Sequence, residues 1–425
     1  MNWRGPLYNG TSPDADPPLR WSETENVRFK VDIPGESLSS PIVFDGKVFV
    51  MTAVALDPKA YEEKLDAAQA VVDAGEWPPK VEPVRHAFWV YALDAETGEV
   101  VWKHKSRESV PHESHYLDTS YACASPLTDG ERLYVHFGSN GTYAYSLDGE
   151  LLWEVDLGDM TTRRGFGEGS SPALAGEQLI VNWDHEGDSF VVALDRESGE
   201  ETWRKERPGE VTSWSTPFYV EDDDGGQVII SSTGRSRGYA ADDGEELWSL
   251  SGMTVNQIPT PLLRDGVAYL SSGYRGNMLQ AIALDRAEGE LEESPAVLWT
   301  YERDTPYVAT PLLYDERLYF IKHFRNILTV LNATSGEVLV GPERLQSLRQ
   351  VYASPVGAAG RVYFFGRDGS AVVLKHGDEL EILAENELDD GIDASPALVG
   401  DRLYVRGRHS LYCLEDVAGE ADPAP

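Results

Sequence analysis

The sequence predicts an all-β fold, an eight-bladed β-propeller of four-stranded antiparallel blades, and three observations carry that prediction. A Ser/Thr-Pro pair recurs at Ser40-Pro41, Ser125-Pro126, Ser171-Pro172, Thr216-Pro217, Thr260-Pro261, Thr310-Pro311, Ser354-Pro355 and Ser395-Pro396. Behind each pair the same order returns: an apolar stretch, a turn, and a strand rich in aromatic and β-branched residues such as Arg132-Leu133-Tyr134-Val135. Most units then end in a hairpin and a tryptophan, as in Ala92-Leu93-Asp94-Ala95-Glu96-Thr97-Gly98-Glu99-Val100-Val101-Trp102.

Each element has a physical reason. After the first interval, successive prolines lie 41 to 50 residues apart, the length of four short strands and three turns. In the hairpin, Gly supplies the positive φ of a tight turn and Asp bonds its own turn backbone. The strand-ending Trp102, Trp153, Trp203, Trp248 and Trp299 read as wedges between neighbouring sheets, with Val340 and Leu383 in that position in later units. The eighth unit runs out after Leu411-Tyr412-Cys413-Leu414, and Val27-Arg28-Phe29-Lys30-Val31 supplies the missing outer strand, with Phe29 as its wedge. A ring completed from both chain ends leaves no exposed edge.

The long first interval holds an insertion over 55–87. Asp57-Pro58 reads as an N-cap and first-turn proline, Tyr61, Leu65, Ala68 and Val72 share one helical face, and Gly75 ends the helix. The expected organisation is one propeller over 1–416 and a disordered tail over 417–425.

Composition narrows function mainly by exclusion. The 425 residues carry 72 acidic and 36 basic side chains, a formal net charge of −36. Such a surface repels phosphate backbones and anionic lipid, which excludes nucleic acid as a partner, and it suits a saline medium that screens self-repulsion. With two cysteines, Cys123 and Cys413, a disulfide scaffold is not expected, and both read as small buried fillers in strands. No apolar run is long enough to span a membrane, and Met1-Asn2-Trp3-Arg4-Gly5-Pro6 lacks the apolar core of a signal peptide. A monomer is expected.

The unit Ala-Leu-Asp-x-x-Thr/Ser-Gly-Glu-x-x-Trp resembles the tryptophan-docking repeat of the PQQ-like β-propeller family, which includes quinoprotein dehydrogenases and an outer-membrane assembly propeller. The stretches Gly165-Phe166-Gly167-Glu168-Gly169-Ser170-Ser171-Pro172 and Trp183-Asp184-His185-Glu186-Gly187 resemble the bacterial PQQ-binding-like propellers. The resemblance implies the fold over nearly the whole chain and a periplasmic or secreted location. For its dehydrogenase members it implies pyrroloquinoline quinone and calcium. This chain departs from them: Cys123 and Cys413 are far apart, so the adjacent-cysteine disulfide over the quinone is absent, and no Cys-x-x-Cys-His occurs.

In a propeller, the loops entering each innermost strand and those between second and third strands meet on one face around the channel. There the sequence places cations in five consecutive units: Arg235 and Arg237, Arg275, Lys322 and Arg325, Arg367, and Arg406 and Arg408, joined by Arg163 and Arg164. Planar guanidiniums bind carboxylate, sulfate or phosphate through paired hydrogen bonds, so a basic funnel for an anionic small molecule, a glycan or a protein segment is expected, with Tyr307 among its ligand contacts. The acidic and imidazole groups of the same face are His112, Glu113, His115, Glu168, Asp184, His185, Glu186, Asp304, Asp390 and Asp393. Glu168, Asp184 and Glu186 offer oxygens for a hard cation, and His112 with His115 nitrogens for a transition metal.

The leading expectation is a non-catalytic binding module acting outside the cytoplasm. A quinone- and calcium-dependent oxidoreductase is the first alternative, with Asp184, His185 and Asp304 as candidate catalytic groups. A polysaccharide lyase is the second, resting on Tyr274, Arg275 and Tyr307. No Gly-rich phosphate loop and no Gly-x-Ser-x-Gly elbow supports a nucleotide-dependent or hydrolase reading.

Overall fold

A computed structural model describes residues 1–222 and 225–416. Eight antiparallel sheets follow one another along the chain, each beginning just after one Ser/Thr-Pro pair. Blade 1 consists of Ile42–Phe44, Lys47–Ala55, His86–Asp94 and Val100–Ser109 in that order, and the other blades repeat the pattern. Second and third strands such as Gln178–Trp183 and Phe190–Asp195 are buried on both faces, and they are correspondingly near-continuous apolar runs. Outer strands meet solvent on one side, so Val297–Tyr301 alternates half-buried and exposed.

Blade 8 is built from both chain ends. Val27–Asp32 pairs antiparallel with Ser410–Glu415, Phe29 opposite Cys413, beside Arg402–Arg406 and Ala397–Val399. Blade 4 has a fifth strand, because Gly289–Glu290 runs parallel to Trp248 and Ser249.

The Ser/Thr of the repeat has a role that its position alone did not disclose. The Ser40 N–H donates to Ser125 Oγ, Ser125 N–H to Ser171 Oγ, Thr260 N–H to Thr310 Oγ1, Thr310 N–H to Ser354 Oγ, Ser354 N–H to Ser395 Oγ, and Ser395 N–H back to Ser40 Oγ, all at 2.9–3.0 Å. A hydroxyl satisfies the buried amide of the preceding blade where no strand partner exists, and the proline that follows has no N–H to satisfy. A belt of side-chain-to-backbone bonds thus joins six of the eight blade junctions around the channel.

The tryptophans form the outer fastening. Trp102 Nε1 donates to the Leu147 carbonyl of blade 2, Trp153 to Arg196 of blade 3, Trp203 to Ala241 of blade 4 and Trp299 to Ala333 of blade 6. Each ring lies against the glycine of that neighbouring hairpin: a Cβ on Gly149, Gly199, Gly244 or Gly336 would come within 2.6–2.8 Å of it. These glycines therefore serve both a positive φ and a close approach. Phe29 meets Gly98 of blade 1 in the same way. Burying one such ring is worth about 4–6 kcal/mol of gross transfer free energy.

Four sequence readings need correction. In blade 7 the wedge position is Ala384, opposite Val373, rather than Leu383, since a slip of one residue reverses the face; Trp21 of the N-terminal segment joins Ala384 in one apolar cluster and stacks on Phe365 at 5.8 Å. Trp248 bonds Gln227 Oε1 within its own blade instead of a neighbouring hairpin. The insertion helix forms over Pro58–Asp73 with Asp57 capping Ala60 N–H, and Tyr61 and Ala68 are buried, but Val72 is exposed. Cys123 lies in the loop entering blade 2 and not in a strand, while Cys413 is buried in its strand. The 417–425 tail lies outside the described residues.

Candidate functional site

The channel contains a cavity of about 570 Å³ at the height of the belt, and all eight Ser/Thr of the repeat line it. On one side it is walled by Trp3. The segment around Trp3 lies against the inner strands: the Met1 amine donates to the Thr128 carbonyl at 2.6 Å, and the Arg4 guanidinium to the carbonyls of Pro311 and Pro355 at 2.8 and 3.1 Å. Arg4 is fully buried with no ion-pair partner among the described residues, and burial lowers its pKa to about 9.

Toward the mouth the walls are aromatic. Tyr116 and Phe166 pack at 5.1 Å, Phe166 meets Trp214 edge-on, and Tyr274 stacks on Tyr307 at 4.8 Å with planes 26° apart. Tyr352 and two outward-standing rings, Trp77 of the insertion at 65% exposure and Phe324 of blade 6 at 66%, complete the rim. Burial raises the Tyr307 phenol to about 12, so it stays protonated.

The expected ring of cations does not line this cavity; the charged groups in its wall are Asp118, Glu168 and Asp393. Arg367 forks onto Asp393 with its guanidinium 3.9 Å from the Tyr352 ring centre, and Arg408 reaches the same carboxylate at 3.0 Å. Arg237 pairs with Glu210 and Glu246. Lys322 donates to the Gly273 carbonyl and Asn277 Oδ1. Arg406 is buried inside blade 8, bonded to the carbonyls of Gly407 and Ser410, and burial lowers its pKa to about 10. It is the last residue of the strand Arg402–Arg406 and not a residue of the loop. Arg163 and Arg235 are half-buried, and Arg164, Arg275 and Arg325 are exposed; none of these five has an ion-pair partner among the described residues. Arg275 lies over Tyr274 at 5.4 Å.

The candidate catalytic groups are engaged elsewhere. Asp184, 1% exposed, receives Arg207 Nε on Oδ1 at 2.8 Å, and Arg207 Nη2 and the hydroxyls of Ser213 and Ser232 on Oδ2 at 3.0, 2.8 and 2.7 Å. The residues it joins come from blade 3 and blade 4, so it is an interblade clamp. His185 Nδ1 accepts the Thr161 N–H, which leaves Nε2 to donate to the Asp188 carbonyl. Asp304 sits beside Arg303 Nε at 3.6 Å, away from the cavity wall.

Of the candidate ligands, His112, Glu113, Glu168 and Asp184 line one small second pocket between blades 2 and 3, but each is engaged by the protein. Glu168 accepts the Ser139 N–H and hydroxyl, and burial raises its carboxyl to about 7. Glu186 accepts from Thr212, Glu113 from Thr162, and Asp390 from the Ser410 N–H. His112 bonds the Met160 carbonyl, and His115, lowered to about 4 by burial, bonds Tyr61 and the Tyr116 carbonyl. Among the described residues no three His, Cys, Asp or Glu side chains form a metal-binding group. A tricarboxylate quinone with calcium needs cations and clustered oxygens at the cavity wall, and these residues do not fit it.

The sequence named Tyr274 and Tyr307 of this mouth and missed Tyr116, Phe166, Trp214, Tyr352, Trp77 and Phe324. The rings come from loops entering the blades, from loops between second and third strands and from the insertion, at different offsets from the Ser/Thr-Pro pair, so no periodic signal marks them.

Belt, tryptophan docking and eight blades, seven of four strands and one with a short fifth, define a PQQ-like β-propeller. A family model described as outer membrane protein assembly factor BamB matches residues 88–209 and 187–421, and the chain belongs to that family. The outer membrane protein assembly factor BamB of Yersinia pestis is 22% identical over 333 residues, 75% of this chain and 77% of that protein. BamB from Moraxella catarrhalis superposes with a TM-score of 0.57 at 12% identity, covering 91% of this chain and 98% of its own. A europium-containing methanol dehydrogenase superposes at 0.65, also at 12% identity, covering 96% and 90%. These likenesses extend to the fold. Among the described residues no helix is long and apolar enough to cross a membrane.

Proposed function

We propose that this chain is a non-catalytic binding module that acts outside the cytoplasm and seats its ligand in the aromatic mouth of the propeller channel. The observation that carries this reading is the pairing of a roughly 570 Å³ aromatic cavity with Asp184, His185 and Asp304 each engaged away from it. Concave, mostly apolar sites with a few directed polar groups are what ligand recognition uses, and aromatic rings that a ligand buries are frequent anchors of binding energy. Relatives described as outer membrane assembly factors support a binding role and an extracytoplasmic place.

A second reading keeps an anionic group on the ligand, and the unpaired guanidiniums of Arg163, Arg275 and Arg325 favour it. One fluorescent probe tests both. The naphthalene dye 1-anilinonaphthalene-8-sulfonate, a flat ring bearing a sulfonate, should brighten with the folded protein and lose about tenfold in affinity in Trp77→Ala/Phe324→Ala. If the sulfonate is held at the rim, Arg163→Ala/Arg275→Ala weakens it as well. Dye binding unaffected by the aromatic double variant would overturn the mouth as the site.

A further inference from the structure

The chemistry of the cavity wall selects among ligands. The charges in it are largely spent: Asp393 is held by two guanidiniums, and Glu168 is fixed by the Ser139 N–H and hydroxyl. Asp118 accepts the Tyr352 hydroxyl at 3.0 Å and has no ion-pair partner among the described residues, leaving one modest acceptor and no uncompensated cation in the wall. Neither a polyanion nor a strong cation finds its complement there.

Hydrogen-bonding capacity, by contrast, is left over in both directions. The belt hydroxyls of Ser40, Ser125, Ser354 and Ser395 each accept one backbone N–H, and their own O–H hydrogens have no acceptor among the described residues. A hydroxyl can donate one bond beyond those it accepts, so this ring of donors faces no protein partner. Asn256, 4% exposed and in the same wall, has a carboxamide oxygen without a donor, and a buried orphan acceptor implies a water or ligand group that supplies one. Beside it the Tyr274–Tyr307 stack presents a flat apolar platform, with Phe324 6.5 Å from Tyr307 at the lip.

Resting on the reading that the mouth is a binding site, we infer that its ligand is a neutral saccharide unit. A pyranose has an apolar C–H face for an aromatic platform and a rim of hydroxyls that both donate and accept, matching a wall with unpaired donors and unpaired acceptors and little net charge.

Saturation-transfer NMR with cellotetraose, maltotetraose, tetragalacturonate and the neutral peptide acetyl-Gly-Trp-Gly-amide decides the matter. A neutral tetrasaccharide should give saturation transfer, and Phe324→Ala, an exposed position where folding is not at risk, should weaken it about fivefold to tenfold. Tyr307→Ala should weaken it further, with unchanged circular dichroism showing that the fold persists. Signal from tetragalacturonate alone overturns the inference in favour of an anionic ligand. Signal from the peptide alone overturns it while leaving the mouth as a binding site. Silence from all four overturns both.

Discussion

Six of the eight blade junctions are joined by the same amide-to-hydroxyl bond, while the junctions flanking blade 4 are not. There Ser170 Oγ donates to the Ser215 carbonyl and Ser215 Oγ to the Pro259 carbonyl, so a neighbouring serine takes over with reversed polarity. The junction between blades 3 and 4 also carries the buried Asp184–Arg207 pair, with Tyr239, Ser213 and Ser232 around it. A repeat can lose its shared fastening where a local, non-repeated one has arisen. The two kinds fail differently: a belt bond is one neutral hydrogen bond, whereas the clamp is an ion pair stable only when complete.

The largest expected effect is at the clamp. Arg207→Ala strands an ionised Asp184 in the interior and should cost about 3–5 kcal/mol, read as a lower guanidinium midpoint with unchanged slope. Replacing Asp184 and Arg207 together by Leu and Met should recover most of that loss. Equal damage from single and double variants would show that the pair is not a self-contained clamp.

An isosteric pair isolates the belt. Thr310 Oγ1 accepts the Thr260 N–H at 3.0 Å, whereas the Thr216 hydroxyl makes no hydrogen bond among the described residues. Thr310→Val should therefore cost about 1–3 kcal/mol, since it orphans a buried donor. Thr216→Val, the same chemical change, should cost under about 0.5 kcal/mol. Equal losses would mean that the belt bond contributes nothing specific.

The smallest effect separates a second tie at the junction of blades 2 and 3, where Glu168 reaches Ser139. Burial raises the Glu168 carboxyl to about 7, so folding favours its protonated form. Its contribution is therefore fully present below the unfolded-state value near 4.5 and is lost as pH rises through about 7. Melting temperature should fall more steeply between pH 5 and 8 in the native protein than in Glu168→Gln. Parallel curves would remove Glu168 from the pH response.

The fold was legible because a propeller repeats its reasons. The Ser/Thr-Pro pair, the turn glycine and the tryptophan recur since each blade meets its neighbour in the same way, and even Phe29 could be placed from a strand missing at the other end. The site was much less legible. Arg406 and Arg275 look equivalent in sequence, yet one is buried in a strand and the other stands in a loop, a difference that depends on where each strand ends. Asp184 looked like a free carboxylate because Arg207, its partner, lies 23 residues on and carries no motif. Phe166 and Trp214 meet between blades 3 and 4, and Tyr352 lines the same cavity from the loop entering blade 7, at positions that no repeat marks.

Closure by Val27–Asp32 has a consequence in time. That strand is synthesised before any other of the propeller, yet its partner Ser410–Glu415 is the last strand to be made. During synthesis blades 1 to 7 can form in order, each fastened to the one before, while the first strand and the growing front both present unpaired edges. The propeller is thus an open arc, exposed to pairing with other copies, until Ser410–Glu415 has been made, and it becomes a ring in one step.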